Sequence, residues 1–504
     1  MPEFADGPDD STRSALEKTI LRKLDLHILP IVTLIYLASF LDRTNIGNAR
    51  IAGLEKDLNL HGTQFDTALA VFFITYILCE IPSNVFLRKF RAHRWLGFLV
   101  AAWGITTTLM GLIRTFTDLV AVRLLLGLCE GGLVPGVVLY LSSMYKRHEL
   151  QRRIGLFFAA SSFSGAFGGL LASAIIQMNG VGNIAGWRWF FILEGIATVI
   201  LSIVTITALP SDIRTAKFLT KDERDYALWR LKQDCELPCI DDDYQAATQK
   251  EAHEHSSVKS EDLDQEQEVF EWRELRRGIF DAHTLLTGLA SFGFTTSLYS
   301  FSYFFPTIVT GLGYSGVQAQ LHTVPPYAVA VFMTVAVAFL SDRTRLRDPF
   351  VIVLLPLTMM GYIIAIVATT NRVRYIGSCF IASGTYASVP CIFTGLANNT
   401  SGHYKRAAAI AVNIGFANAS GFVATFIYTP DQGPRYKKGH TIALGLMVFG
   451  WVMIVAHLLY CLYENKARRE GRRDSNIAKY KALRDAGLTR APIGDRHPKF
   501  MFTP

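Results

Sequence analysis

An all-α membrane protein of about twelve transmembrane helices, arranged as two pseudo-symmetric halves of six, is the fold class this sequence predicts. Three observations carry it. Half of the 504 residues are hydrophobic and only 18% are charged, too apolar a balance for an ordinary water-soluble chain of this length. The apolar residues fall into runs of about twenty, the length that spans a bilayer as a helix. A long polar segment divides those runs into two sets. Backbone polar groups find no water inside a bilayer, so runs of this kind read as helices, whose hydrogen bonds close internally.

Taken in order, residues 1–27 form a polar, charged N-terminal segment with neither a signal-peptide core nor a small-residue cleavage site, so the first apolar run is expected to stay as an anchor. Apolar runs broken by charge then place helices at 28–47, 67–87, 95–113, 119–141, 154–177 and 188–208, a first half over 28–208. Residues 209–282 contain Lys221-Asp222-Glu223-Arg224 and the acidic run at 261–266 and read as a solvated linker with short amphipathic helices. A second half over 283–463 follows, with helices at 284–308, 322–340, 350–369, 375–397, 406–428 and 441–463, and 464–504 is a polar C-terminal tail.

Lys and Arg in the short loops set the orientation. Arg88, Lys89, Arg91 and Arg94 follow the second helix, Lys146, Arg147, Arg152 and Arg153 the fourth, Arg343, Arg345 and Arg347 the eighth, and Lys405 and Arg406 the tenth. All fall on one side together with both termini, which is therefore predicted to be cytoplasmic. Arg435, Lys437 and Lys438 lie on the opposite face and are the exception. The net charge of +8 resides in these clusters, a pattern of topology-setting charge beside anionic lipid and not of a nucleic-acid surface. The basic stretch after Leu87 has a counterpart after Leu340, which argues for duplicated halves with a ligand site between them near mid-membrane.

Seven scattered cysteines show no disulfide framework. Cys235 and Cys239 near His253 and His255 match no zinc spacing, and neither a metal nor another cofactor is expected. No nucleophile constellation or nucleotide loop supports an enzyme.

Ionisable residues inside spanning helices are costly and functional candidates by default. They are Asp42 and Arg43 in the first helix, Glu80 in the second, Arg123 and Glu130 in the fourth, and Glu194 in the sixth. Arg43 and Arg123 each lie about four residues, roughly 6 Å, below the outer end of their helix. At one depth they can clamp a carboxylate, because a guanidinium is a planar fork of donors that keeps its charge when desolvated. The other reading pairs Arg43 with Asp42 and lets it snorkel outward. Glu130 lies two turns and roughly 10 Å deeper than Arg123 on nearly the same face, either a titrating group or a helix-packing one. Glycines 127, 131, 132 and 136 with Pro135 surround it, and close helix approach is sufficient to explain them. Glu80 is divided between a gate ion pair and a proton relay, and Glu194 between a structural and a gate role. Tyr299, Tyr303, Tyr386, Asn413 and Asn418 offer neutral hydrogen bonds or an aromatic wall from the second half; packing explains the tyrosines equally, and Asn418 needs a partner.

Four segments resemble a known family: LDRTNIGNARIAGL at 41–54, CEIPSN at 79–84, GWRWFFILEG at 186–195 and PRYKKGH at 434–440. Spread over both halves, they are similar to the fungal allantoate-permease-like branch of the anion:cation symporters, within the major facilitator superfamily. The resemblance implies proton-coupled uptake of a small organic anion, a carboxylate such as nicotinate or allantoate, by a monomer in the plasma membrane. It assigns Arg43 to anion recognition, Tyr76 to a position that reaches substrate, and Asp42 and Glu130 to proton coupling. It also implies a gate after the second helix, where Arg88 or Lys89 replaces the usual acid, and a second-half copy at Asp342 and Arg343. Gly165-Ala166-Phe167-Gly168-Gly169 lacks the proline of drug:proton antiporters. Export of an acidic metabolite and ligand sensing without flux are the competing readings.

Overall fold

The computed structural model describes residues 10–235, 271–344, 346–489, 491 and 493–503. Twelve long helices dominate it. They are α1 Asp10–Ala49, α2 Gln64–Lys89, α3 Ala92–Met110, α4 Phe116–Met144, α5 Arg147–Ile175 and α6 Gly186–Ala208, then α7 Ala282–Gly311, α8 Val324–Thr344, α9 Asp348–Val367, α10 Asn371–Asn399, α11 His403–Thr425 and α12 Lys437–Arg469. Among the described residues, nine of these segments are long and apolar enough to cross a bilayer by length and composition; the others are α2, α3 and α7. The polarity of α7 has a local cause. Its Thr295, Ser297 and Ser302 hydroxyls meet Ser420 at 2.7 Å, Tyr362 at 2.5 Å and Tyr386 at 2.8 Å, so this helix faces protein and not lipid. The linker residues Cys239, His253 and His255 lie outside the described residues, as does the Cys235 side chain.

Two helices depart from their expected bounds. The polar N-terminal segment does not precede α1 but forms its first turns, which are anchored by Glu17 to Lys146 (2.8 Å) and Asp25 to Arg153 (2.6 Å). At its other end α1 overruns residue 47, reaches Ala49 and continues through a π turn to Leu54. α4 starts on a capping box in which the Thr115 hydroxyl accepts from the Asp118 amide and the Asp118 carboxylate accepts from the Thr115 amide. It breaks after Glu130, at Gly131 and Gly132, and resumes at Leu133. Pro135 falls in the first turn of the resumed helix, where its missing N–H costs nothing.

Glycine contacts hold each half together, as expected for helices that gain nothing from apolar contact in lipid. Gly127 and Gly131 lie directly on the α2 backbone at Phe72 and Tyr76, Gly293 on Gly450, and Gly361 on Gly377. A Cβ at Gly127 would overlap the Phe72 carbonyl and Thr75, whereas one at Gly415 would meet nothing within 4 Å. Gly127→Ala is therefore expected to destabilise the protein by about 1–3 kcal/mol through overpacking. Thermal unfolding in detergent checks this, with Gly415→Ala as the variant that should not lose stability.

The halves meet along α1 and α7, α2 and α11, α5 and α8, and α5 and α10. Gly47 approaches the Tyr303 backbone, Gly165 sits under the Tyr327 ring, and Phe158 stacks on Phe393 at 4.7 Å. The α5 glycine run is thus a surface for α8.

Each half also carries a clasp at one end of its helices. In the first, the linker helix Lys221–Cys235 sends Arg230 to Glu149 (2.9 Å), and Lys23 of α1 meets Glu223 (2.6 Å). Burial pushes the Glu223 carboxyl up, but the Lys23 ammonium and the Thr220 amide outweigh it and hold the group below the usual glutamate range. In the second, Lys405 bridges Asp281 (2.8 Å) and Asp495. Asn399 and Asn465 each pair with the tail backbone through two bonds of 2.8 Å, at Thr503 and Phe502. None of these clasp contacts crosses between the halves.

Candidate functional site

The buried charges converge at the centre of the junction. Arg43 is 3% exposed, and all three of its nitrogens are engaged. Nη2 and Nε donate to Glu130 Oε1 at 2.6 and 3.1 Å, and Nη1 donates to the Tyr299 hydroxyl at 3.3 Å. Ser39, one turn earlier on α1, donates a further short bond to the same Glu130 oxygen. The guanidinium carbon lies 5.2–5.8 Å from the ring centres of Phe40, Phe72, Tyr76 and Tyr299, a cage that attracts a desolvated cation through the ring faces. The Tyr299 hydroxyl donates to Asn418 Oδ1 at 3.1 Å. One chain of contacts thus runs from Glu130 on α4, through Arg43 on α1, to α7 and α11 of the other half.

A second cluster lies within the first half. Asp42 accepts from the Trp103 indole at 3.3 Å and stands within electrostatic reach of Arg123. Glu194 accepts from Asn45 at 2.8 Å, and Asn45 in turn accepts from Asn48 at 3.3 Å. Among the described residues, Arg123 Nε and Nη2 make no hydrogen bond, and one oxygen of each of Asp42, Glu130 and Glu194 is also unpartnered. Buried polar groups are almost always paired, so unpaired ones of both signs at one junction mark a place where other chemistry is received.

Arg43 sits on Glu130, and Asp42 accepts from the Trp103 indole. The reading that pairs Arg43 with Asp42 is therefore not what the structure holds. Tyr76 contributes a ring face to Arg43 and no hydrogen bond to it. Tyr303 lies beside Tyr299 and Phe73, at 6.4 and 6.2 Å between ring centres. Glu80 is 4% exposed and faces Asn418 across the junction. Tyr386 and Asn413 are spent within the second half, on Ser302 (2.8 Å) and Ser291 (3.0 Å). Arg343 is exposed at the C-terminal end of α8, and the Asp342 side chain lies outside the described residues.

Ser39, Phe40, Phe72, Phe73, Trp103 and Asn45 were not singled out from the sequence. Only Ser39 and Asn45 carried a signal, as polar residues close to Arg43 on an otherwise apolar helix. A separate cavity lined by Phe301, Tyr362, Arg374, Tyr428, Arg435 and His440 belongs to the second half alone and does not reach Arg43.

Residues 32–425 match the Major Facilitator Superfamily. An uncharacterized transporter of Schizosaccharomyces pombe is 37% identical over 455 residues, covering 90% of this chain and 86% of its own. The high-affinity nicotinic acid transporter of Saccharomyces cerevisiae is 30% identical over 454 residues, covering 90% and 80%. Of solved structures, the partially occluded inward-open xylose transporter XylE from E. coli superimposes with a TM-score of 0.62 at 15% identity, over 84% of this chain and 97% of that one. A bacterial homologue of the human lysosomal transporter Spinster gives 0.60 at 16%, over 90% and 97%.

Proposed function

We propose, from the premise that this chain belongs to the Major Facilitator Superfamily and is a multi-pass membrane transporter, that it imports a small organic anion together with a proton. The observation that carries this reading is the Arg43–Glu130 pair, buried inside an aromatic cage where the two halves meet. A substrate carboxylate and Glu130 compete for one guanidinium. When Glu130 takes up a proton it releases Arg43, which then binds the incoming anion through the same planar fork. Loss of that proton restores the internal pair and expels the substrate carboxylate. Proton and anion thus move together, and the fixed charge in the cage stays constant.

The cage rings offer a wall to a ring-bearing acid, and the relative named for nicotinic acid supports a carboxylate of that class. Asp42 and Arg123 form the reserve charges of the site. Glu80 and Asn418 act as a gate that parts when α2 and α11 separate, and Asp342 and Arg343 act at the α8 end. An inside-negative membrane opposes a lone anion by about 2.3 kcal/mol per charge per 100 mV, so the accompanying proton removes a real barrier. The reading places a monomer in the plasma membrane with both termini in the cytoplasm.

Purified protein in proteoliposomes, given labelled nicotinate and an imposed pH gradient, tests this. Uptake is expected to be strongest with the acidic side outside and to collapse when a protonophore dissipates the gradient. Uptake indifferent to the gradient overturns proton coupling, and failure of a panel of unlabelled carboxylates to compete overturns the substrate class.

A further inference from the structure

We propose that His283, His457 and Cys461 form a binding site for a thiophilic metal ion of the Zn2+ or Cu+ class, at the cytoplasmic end of the second half. The site is separate from the Arg43 cage and independent of the transport reading. His283 stands in the first turn of α7, while His457 and Cys461 are four residues apart on one face of α12. Their donor atoms converge: His283 Nδ1 is 2.9 Å from His457 Nε2, and Cys461 Sγ is 3.8 Å from each nitrogen. All three side chains are buried.

A tetrahedral ion bound at ordinary Zn–N and Zn–S lengths needs roughly 3.3 Å between nitrogens and roughly 3.6 Å between nitrogen and sulfur. The observed triangle reaches those values with shifts of a few tenths of an ångström. The surroundings suit an ion as well. His457 donates from Nδ1 to Asp348 Oδ2 at 2.6 Å, which turns the Nε2 lone pair toward Cys461 and His283. A carboxylate behind a histidine is the usual outer partner of a ligating imidazole, fixing its tautomer and raising its basicity. Phe502 of the tail and Tyr460 pack on the His283 ring at 4.1 and 5.0 Å and hold its orientation.

Charge balances too. A divalent ion is matched by the Cys461 thiolate and the Asp348 carboxylate, as a buried site requires. The nearby cations are already engaged, Lys405 by Asp281 and Asp495 and Arg468 by the carbonyls of Phe500 and Asp495. Binding releases the thiol proton to solvent as the Sγ–metal bond forms. Without an ion, His283 can donate to His457 and close a hydrogen-bonded chain to Asp348, with the Cys461 thiol in long hydrogen-bond contact with both rings at 3.8 Å. The expectation that no metal binds weighed only the linker cysteines. His283 on α7 precedes His457 and Cys461 on α12 by 174 and 178 positions, a spacing that no short motif displays.

The full chain, purified without a polyhistidine tag and stripped with a chelator, is titrated with Co2+ as a spectroscopic stand-in for Zn2+, and separately with Cu+ under reducing conditions. One Co2+ per chain is expected, with the visible bands of a tetrahedral site and a thiolate-to-metal charge-transfer band, both bleached by Zn2+. Cys461→Ser should abolish the charge-transfer band, and His457→Gln should weaken binding by at least about tenfold. In the unmutated protein, Zn2+ should also protect Cys461 from alkylation, read by peptide mass spectrometry, which keeps the test independent of how the variants fold. Tight Cu+ binding alone would assign the site to Cu+. Absence of protection and of both bands, bands that survive in Cys461→Ser, or equal binding of Mg2+ would overturn the proposal.

Discussion

Arg43→Lys is expected to cut carboxylate uptake by roughly 10²–10³-fold, equivalent to about 3–4 kcal/mol. The charge survives this substitution; the geometry does not. Arg43 serves Glu130 through two nitrogens and Tyr299 through a third, while four ring centres lie 5.2–5.8 Å from its guanidinium carbon. An ammonium on a flexible stem cannot supply three donors in one plane or stack as a sheet. Initial uptake rates in proteoliposomes measure the effect. The double variant Arg43→Gln/Glu130→Gln separates transport from folding, because it leaves no buried charge without its partner. It should unfold close to the unmodified protein and still fail to transport, whereas recovered transport would reduce Arg43 to a packing residue.

Glu130→Gln should produce the complementary defect. A glutamine resembles the protonated carboxyl and releases Arg43 permanently, so nicotinate should still bind and still exchange across the membrane when labelled and unlabelled pools face each other. Accumulation driven by a pH gradient should fall by at least about tenfold, since the site can no longer give up a proton. The ratio of gradient-driven uptake to counterflow is the measurement. An unchanged ratio would place the proton elsewhere, with Asp42 and its contact to Trp103 the next group to test.

The twelve helices were legible because the bilayer imposes one strong rule on composition, and even the polar α7 kept enough apolar residues to be placed correctly. The continuation of the first helix past residue 47 was not legible. Past residue 43 the chain runs Thr44-Asn45-Ile46-Gly47-Asn48, which hydropathy reads as an approaching surface. Those side chains are polar because protein surrounds them: Asn45 answers Glu194, and Gln320 of the other half donates to the Asn48 carbonyl at 3.3 Å. A rule about lipid cannot see a helix that continues inside a protein interior. The same blindness made Tyr386 and Asn413 look available, when Ser302 and Ser291 on α7 had already claimed them. The identity of the charged residues was visible throughout, and their pairing required the third dimension.

The two clasps bear on how the molecule moves. With Lys405 tied to Asp281 and Asp495, and Asn399 and Asn465 stitched to Thr503 and Phe502, the adjoining ends of α10, α11 and α12 form one splinted block. The linker helix does the same for α1 and α5 through Glu149 and Glu223. Bending within either block would break several ion pairs at once, while sliding one block past the other breaks none of them. The seams therefore act as the hinge of a two-armed lever, with the Arg43–Tyr299 contact at its fulcrum.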